Sequence, residues 1–100
     1  MKDKLKTLVL ETISDLNQEW KVPDLENINE NTILFAPNGS INSLALVTLI
    51  VELEARIYEE MAVSITYANE KAMSQKISPF RSVRSLVSYT EELLSNTNHD

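Results

Sequence analysis

A chain of 100 residues, 43% of them apolar, has the size and composition of one globular domain, and such a domain buries roughly 65% of its unfolded surface. A net charge of −6 argues against a binder of phosphate backbones, which needs a basic face, and suits basic partners instead. The absence of cysteine excludes disulfides, thiol catalysis and cysteine metal sites, and is compatible with a reducing cytoplasm.

The first residues, MKDKLKTLVLETISDL, carry lysines and a short apolar run, but Glu11 and Asp15 interrupt it too early for a signal segment. No stretch approaches the roughly 20 apolar residues of a membrane span. The expectation is a cytoplasmic protein with no membrane span. Leu5, Leu8, Val9, Thr12, Ile13, Leu16 and Trp20 recur at three- and four-residue spacing, which predicts a helix over residues 3 to 19.

Residues 21 to 42 read as a long loop, because Pro23, Pro37, Gly39 and six Asn or Asp residues fall there. Leu25, Ile28, Ile33, Leu34 and Phe35 are expected to pin it to the core. Asn38-Gly39 is a hairpin signal, but Pro37 stands on one side and helical periodicity starts soon after, so no hairpin is expected. Leu46, Leu49, Ile50, Leu53 and Ile57 predict a second helix over residues 43 to 60, with Asn42 or Ser43 as its N-cap. Val63 and Ile65 suggest a short extended piece, and Thr66 can cap a short helix over 67 to 75. Ser78-Pro79 is a start signal for a last helix near 80 to 95, carried by Val83, Leu86, Val87, Thr90, Leu93 and Leu94. The polar tail 95 to 100 reads as frayed. The expected fold is all-α: one domain over residues 1 to 100, a small bundle of three main helices plus one short helix.

The segment NGSINSL (residues 38 to 44) places a serine at the head of the most apolar helix. Together with that helix order, Asn42-Ser43-Leu44 resembles the attachment motif of the acyl carrier protein family, which usually reads Asp-Ser-Leu. Thr32-Ile33-Leu34-Phe35, the run LALVTLIVELE (residues 44 to 54) and SPFRSVRSL (residues 78 to 86) are also similar to segments of that family. The resemblance covers nearly the whole chain. It implies a carrier rather than an enzyme. In the family, a phosphopantetheinyl transferase moves 4′-phosphopantetheine from coenzyme A to the serine oxygen with Mg²⁺, and the thiol of that arm holds an acyl group as a thioester. Ser43 would be the covalent attachment site, with Asn42 beside it in transferase recognition. The remaining partners would be acyl-activating and acyl-transferring enzymes, visited by a monomer.

The residues alone leave a second reading of Ser43, an ordinary N-cap. A helix N-terminus also favours a phosphodiester, through its N–H groups and dipole, by about 0.3–1 kcal/mol when exposed. Ser40 lies in the loop and no Leu follows it. Two departures from the family stand out. Asn42 keeps the capping oxygen of Asp but loses the charge that suits Mg²⁺. Ala45 and Thr48 stand where carriers of fatty acid synthesis have acids, which points to a specialised lipid or secondary-metabolite pathway.

By the same resemblance, Leu44, Val47, Val51 and Glu54 form a partner-binding stripe, and Leu46, Ile50, Leu53, Ile65 and Leu86 line an acyl pocket. Those five are equally sound core residues. Arg81 and Arg84 make a basic spot, more simply a solvated face. A hydrolytic triad is excluded because the one histidine, His99, is in the tail. Glu59-Glu60 and Glu91-Glu92 read as solvated faces rather than a metal site. Trp20, Tyr58, Tyr67 and Tyr89 are too scattered for a stacking platform. Two other readings stay open: an aminoacyl or peptidyl carrier, and an unmodified carrier-fold interaction module.

Overall fold

The three- and four-residue spacing of the first stretch closes into α1 (Lys2–Trp20) in a computed structural model that describes residues 2–67 and 78–97. Leu5, Val9, Thr12 and Ile13 are buried, and Leu8, Leu16 and Trp20 pack against the core from its edge. Thr12 is tolerated inside because its hydroxyl donates to the Leu8 carbonyl at 2.7 Å. Asn17 is the buried polar residue that periodicity missed. Its side chain takes the Val22 N–H at 2.8 Å and gives to the Val22 carbonyl at 3.2 Å, which fixes how the chain leaves the helix. Lys21 turns the corner in the left-handed region, at φ 56°.

A single 3₁₀ turn, Pro23–Leu25, follows and buries Leu25. The rest of the long loop is held by backbone bonds to the far end of the chain. Leu34 N–H donates to the Arg81 carbonyl at 2.6 Å and Phe35 N–H to that of Phe80 at 3.1 Å. Val83 and Arg84 N–H donate back to Thr32 and Glu30, at 3.1 and 2.8 Å. Leu34 is fully buried, and Ile28 and Phe35 partly so. Ile33 departs from expectation: its side chain is 37% exposed, and the residue is held by its backbone.

The second apolar run forms α2 (Ser43–Met61), with Leu46, Leu49, Leu53 and Ile57 on its buried side and Ile50 at the margin. Truncating Leu49 or Leu53, both fully buried, to Ala removes about 2–5 kcal/mol. The helix ends at Ala62, again left-handed at φ 55°. No extended strand forms over 63 to 66, although Ile65 is buried. The expected short helix over 67 to 75 lies outside the described residues except for Tyr67.

The last helix, α3, is Val83–Thr97. It starts later than Ser78-Pro79 suggests. Phe80 and Arg81 give their carbonyls to the loop, so they are not free to begin a helix. Ser82 and Ser85 cap instead: each hydroxyl accepts the other's N–H, at 3.2 and 3.0 Å. The helix also runs into the segment read as frayed, since residues 95–97 are helical, while 98–100, with His99, lie outside the described residues.

Helix α1 is the element on which both α2 and α3 pack. Arg56 of α2 joins it to Asp15 of α1 at 3.0 Å and to Glu52 at 2.9 Å. Such part-exposed pairs contribute about 0.2–1 kcal/mol each. Where α2 hands over to α3, Tyr67, Phe80 and Tyr89 gather with ring centroids 6.0–6.5 Å apart. The fold is therefore all-α among the described residues: three helices, no strand, and one isolated bridge between Ile33 and Ser82. None of these helices is long and apolar enough to cross a membrane.

Candidate functional site

The site is the head of α2 and the loop that delivers it. Gly39 N–H donates to the Ala36 carbonyl at 2.8 Å, and the chain turns back so that Ser40 and Ile41 N–H reach the Ile33 and Leu34 carbonyls at 3.3 and 3.2 Å. This is a fold-back, but no strand pair forms around Asn38-Gly39, in line with the sequence expectation. Gly39 is required here by close approach. A Cβ would overlap the Leu34 carbonyl oxygen and lie 2.8 Å from Ala36 N. Ile41 is buried and anchors the end of the loop one residue before the cap.

Asn42 is extended, at φ −98° and ψ −177°, and its Oδ1 accepts the Ala45 N–H at 2.9 Å. Its carbonyl accepts the Leu46 N–H at 2.9 Å, which starts the helical ladder. The cap is therefore Asn42. Ser43 is the first helical residue, it is exposed, and its hydroxyl makes no hydrogen bond with a described residue. Ser40 differs: its hydroxyl donates to the Ile33 carbonyl at 3.0 Å and serves the loop. No family model, curated protein or solved structure matches this chain. The chemistry of the site thus rests on its own geometry and on the sequence resemblance.

Leu44, Val47 and Val51 stand 76%, 57% and 61% exposed, an unusual display of apolar surface next to one reachable hydroxyl. Glu54 sits apart from them. It is half-buried, and its carboxylate accepts the Tyr67 N–H at 3.0 Å, so it holds the end of the 62–67 turn as well as edging the stripe. Leu46, Leu53, Ile65 and Leu86 lie in one buried cluster with Ile50 packed against it, which brings the five pocket candidates together as core.

Three features escaped sequence reading. Trp20 and Val22 meet Ile41, Leu44 and Thr48 around an open groove of about 310 Å³ beside the head of α2. Tyr67, which seemed isolated, is buried, and its hydroxyl lies 2.6 Å from Thr90 Oγ1, while Tyr89 donates to the Tyr67 carbonyl at 2.9 Å. Burial pushes the Tyr67 phenol far above its ordinary range, and the bond to Thr90 offsets only part of this. The basic spot is partly neutralised, since Arg84 reaches Glu30 at 3.1 Å and Asn31 at 3.0 Å. Of these features, only buried Thr90 on the α3 stripe had a sequence signal.

Proposed function

We propose that this chain is an acyl carrier in which Ser43 bears a 4′-phosphopantetheine arm. The observation that carries the reading is the division of labour at the head of α2. Asn42 does the capping, so Ser43 has no structural task that explains it, yet it stands exposed on a fixed loop at the positive end of a helix. The sequence resemblance supplies the rest. An exposed serine oxygen on that helix end fits a phosphodiester, and the arm, when attached, supplies a thiol for acyl thioesters. The chain's part is to hold the attachment point rigidly and to present Leu44, Val47 and Val51 to the enzymes that load and unload it. Asn42 gives the same cap as Asp without its charge, which accords with a dedicated transferase in a specialised lipid or secondary-metabolite pathway.

Intact mass after incubation with a broad-specificity phosphopantetheinyl transferase, coenzyme A and Mg²⁺ tests this. The expected result is one added phosphopantetheine on the parent and none on Ser43→Ala. If neither the parent nor Asn42→Asp accepts the arm, from this or the native transferase, the carrier reading falls and an unmodified interaction module stands in its place. Loading by an amino-acid-activating enzyme, and not by acyl-activating ones, would move the cargo to aminoacyl groups.

A further inference from the structure

The groove beside the head of α2 is assembled from three parts of the chain, each fixed by hydrogen bonds. Val22 is held by both bonds of the Asn17 side chain, at 2.8 and 3.2 Å, just past the end of α1 that carries Trp20. Ser40 and Ile41 are held by backbone bonds to Ile33 and Leu34. Thr48 stands on the first turns of α2, with its hydroxyl on the Leu44 carbonyl at 3.1 Å. The groove is therefore formed before any ligand enters, as binding clefts usually are, and its volume of about 310 Å³ is at the small end of their range. No charged side chain lines it. Trp20, Val22, Ile41 and Leu44 supply an apolar wall. The Ser40 and Thr48 hydroxyls donate to the Ile33 and Leu44 carbonyls and keep acceptor lone pairs. Asn42 Oδ1 is taken by the Ala45 N–H, while its Nδ2 bonds to no described residue. At about 100° per residue, Leu44 and Thr48 face about 170° away from buried Leu46 and Leu53, so this groove is separate from the cluster of pocket candidates.

We infer that this groove is the resting seat of the arm on Ser43, a place against the outside of the protein rather than within its core. The inference rests on the attachment proposed above. Ser43 stands between two lining residues, Asn42 and Leu44, so an arm fixed there begins at the rim. Pantetheine is an uncharged chain with a gem-dimethyl group and two amides. Its apolar parts match the wall of Trp20, Val22 and Ile41, and its amides match one free donor, Asn42 Nδ2, and two hydroxyl acceptors, on Ser40 and Thr48. A short tether holds the arm at an effective concentration of about millimolar, so contacts too weak to retain a free ligand suffice. A phosphate or a nucleotide finds no cation in this groove. The seat also gives Asn42 a use that Asp lacks: a carboxylate caps the helix equally well but has no proton to donate to an amide carbonyl.

The probe is free pantetheine, titrated against the unmodified, isotope-labelled protein. Trp20 is the only tryptophan in the chain, so a single indole N–H resonance reports the groove. A saturable shift is expected, with a Kd of about 1–10 mM. Thr48→Phe, a change at an exposed position that fills the groove, should abolish it. Asn42→Asp should weaken it at least about threefold although it keeps the cap, and thermal midpoints verify that both variants stay folded. In protein whose added mass shows the arm in place, the indole should sit at the pantetheine-saturated position and no longer respond to added pantetheine. The seat is overturned by the absence of a saturable shift below about 50 mM, by an equal response to hexanol, or by unchanged binding in either variant. It is overturned equally by an indole resonance that stays put when the arm is attached, and in that case the carrier reading stands. If the mass shows no arm under any condition, the carrier reading falls and the seat falls with it.

Discussion

Asn42 Oδ1 accepts the Ala45 N–H at 2.9 Å, so the residue before Ser43 ties down the first turn of α2. The two neighbours therefore separate cleanly in stability. Asn42→Ala should lose about 1 kcal/mol and Asn42→Asp should lose nothing, since Asp caps as well and favours the dipole. Ser43→Ala should stay within about 0.5 kcal/mol of the parent, as an exposed surface change does. Urea midpoints of the three variants check this. A loss in Ser43→Ala equal to that in Asn42→Ala would return the serine to a capping role.

Gly39 should resist replacement even by alanine. The added methyl meets the Leu34 carbonyl oxygen, which is backbone and is itself bonded to the Ile41 N–H. Overpacking of this kind costs about 1–3 kcal/mol. Because the strain falls on the loop that delivers Ser43, Gly39→Ala should also slow any reaction at Ser43, whereas Asn38→Ala, on an exposed residue, should do neither.

Tyr67 gives the fold an alkaline limit. Its folded-state pKa is raised above the unfolded value of about 10. Its contribution is therefore complete below pH 10 and is lost as pH rises toward the folded value, because the unfolded chain gives up the proton first. The slope approaches about 1.4 kcal/mol per pH unit in that window. Thermal midpoints between pH 9 and 11.5 should fall in the parent and fall less in Tyr67→Phe.

Thr90→Val removes the partner of a buried phenol while keeping the side-chain shape. A loss of about 1–3 kcal/mol is expected. In Tyr67→Phe the same Thr90 change should cost much less, since it forfeits only the Thr90 hydroxyl's bond to the Leu86 carbonyl at 2.8 Å and leaves no phenol unpaired. A double-mutant cycle reads the difference.

Ala62 occupies a left-handed position that costs an L-residue about 1–2 kcal/mol, part of which glycine returns through the freedom of its unfolded chain. Ala62→Gly should stabilise the protein by about 0.5 kcal/mol. A lower melting temperature in this variant would show that the Ala62 methyl makes a contact worth more than the strain.

The helices were legible because their apolar spacing is uninterrupted: α1 and α2 end within a residue of where periodicity places them. The start of α3 was not, because Ser78-Pro79 is a local signal and Phe80 and Arg81 are claimed by Leu34 and Phe35, far away in the chain. Ser82-Val83-Arg84-Ser85 held the better signal, a serine at each end of a capping turn. At the site, sequence narrowed the cap to Asn42 or Ser43 but left the choice to backbone geometry. Glu54 read as a surface acid because nothing local announces that Tyr67, thirteen positions on, will offer it an N–H. The Trp20 groove was illegible for the same reason: it joins the end of one helix to the start of another.

The backbone bonds between the approach to α2 and the start of α3 also set an order of events during synthesis. Glu30 and Arg84 are 54 positions apart. All of α2 is synthesised before the residues that lock its approach loop. The loop carrying Ser40 to Asn42 therefore reaches its final shape only after Phe80 to Arg84 have emerged and closed on it, and until then α2 stands without that support.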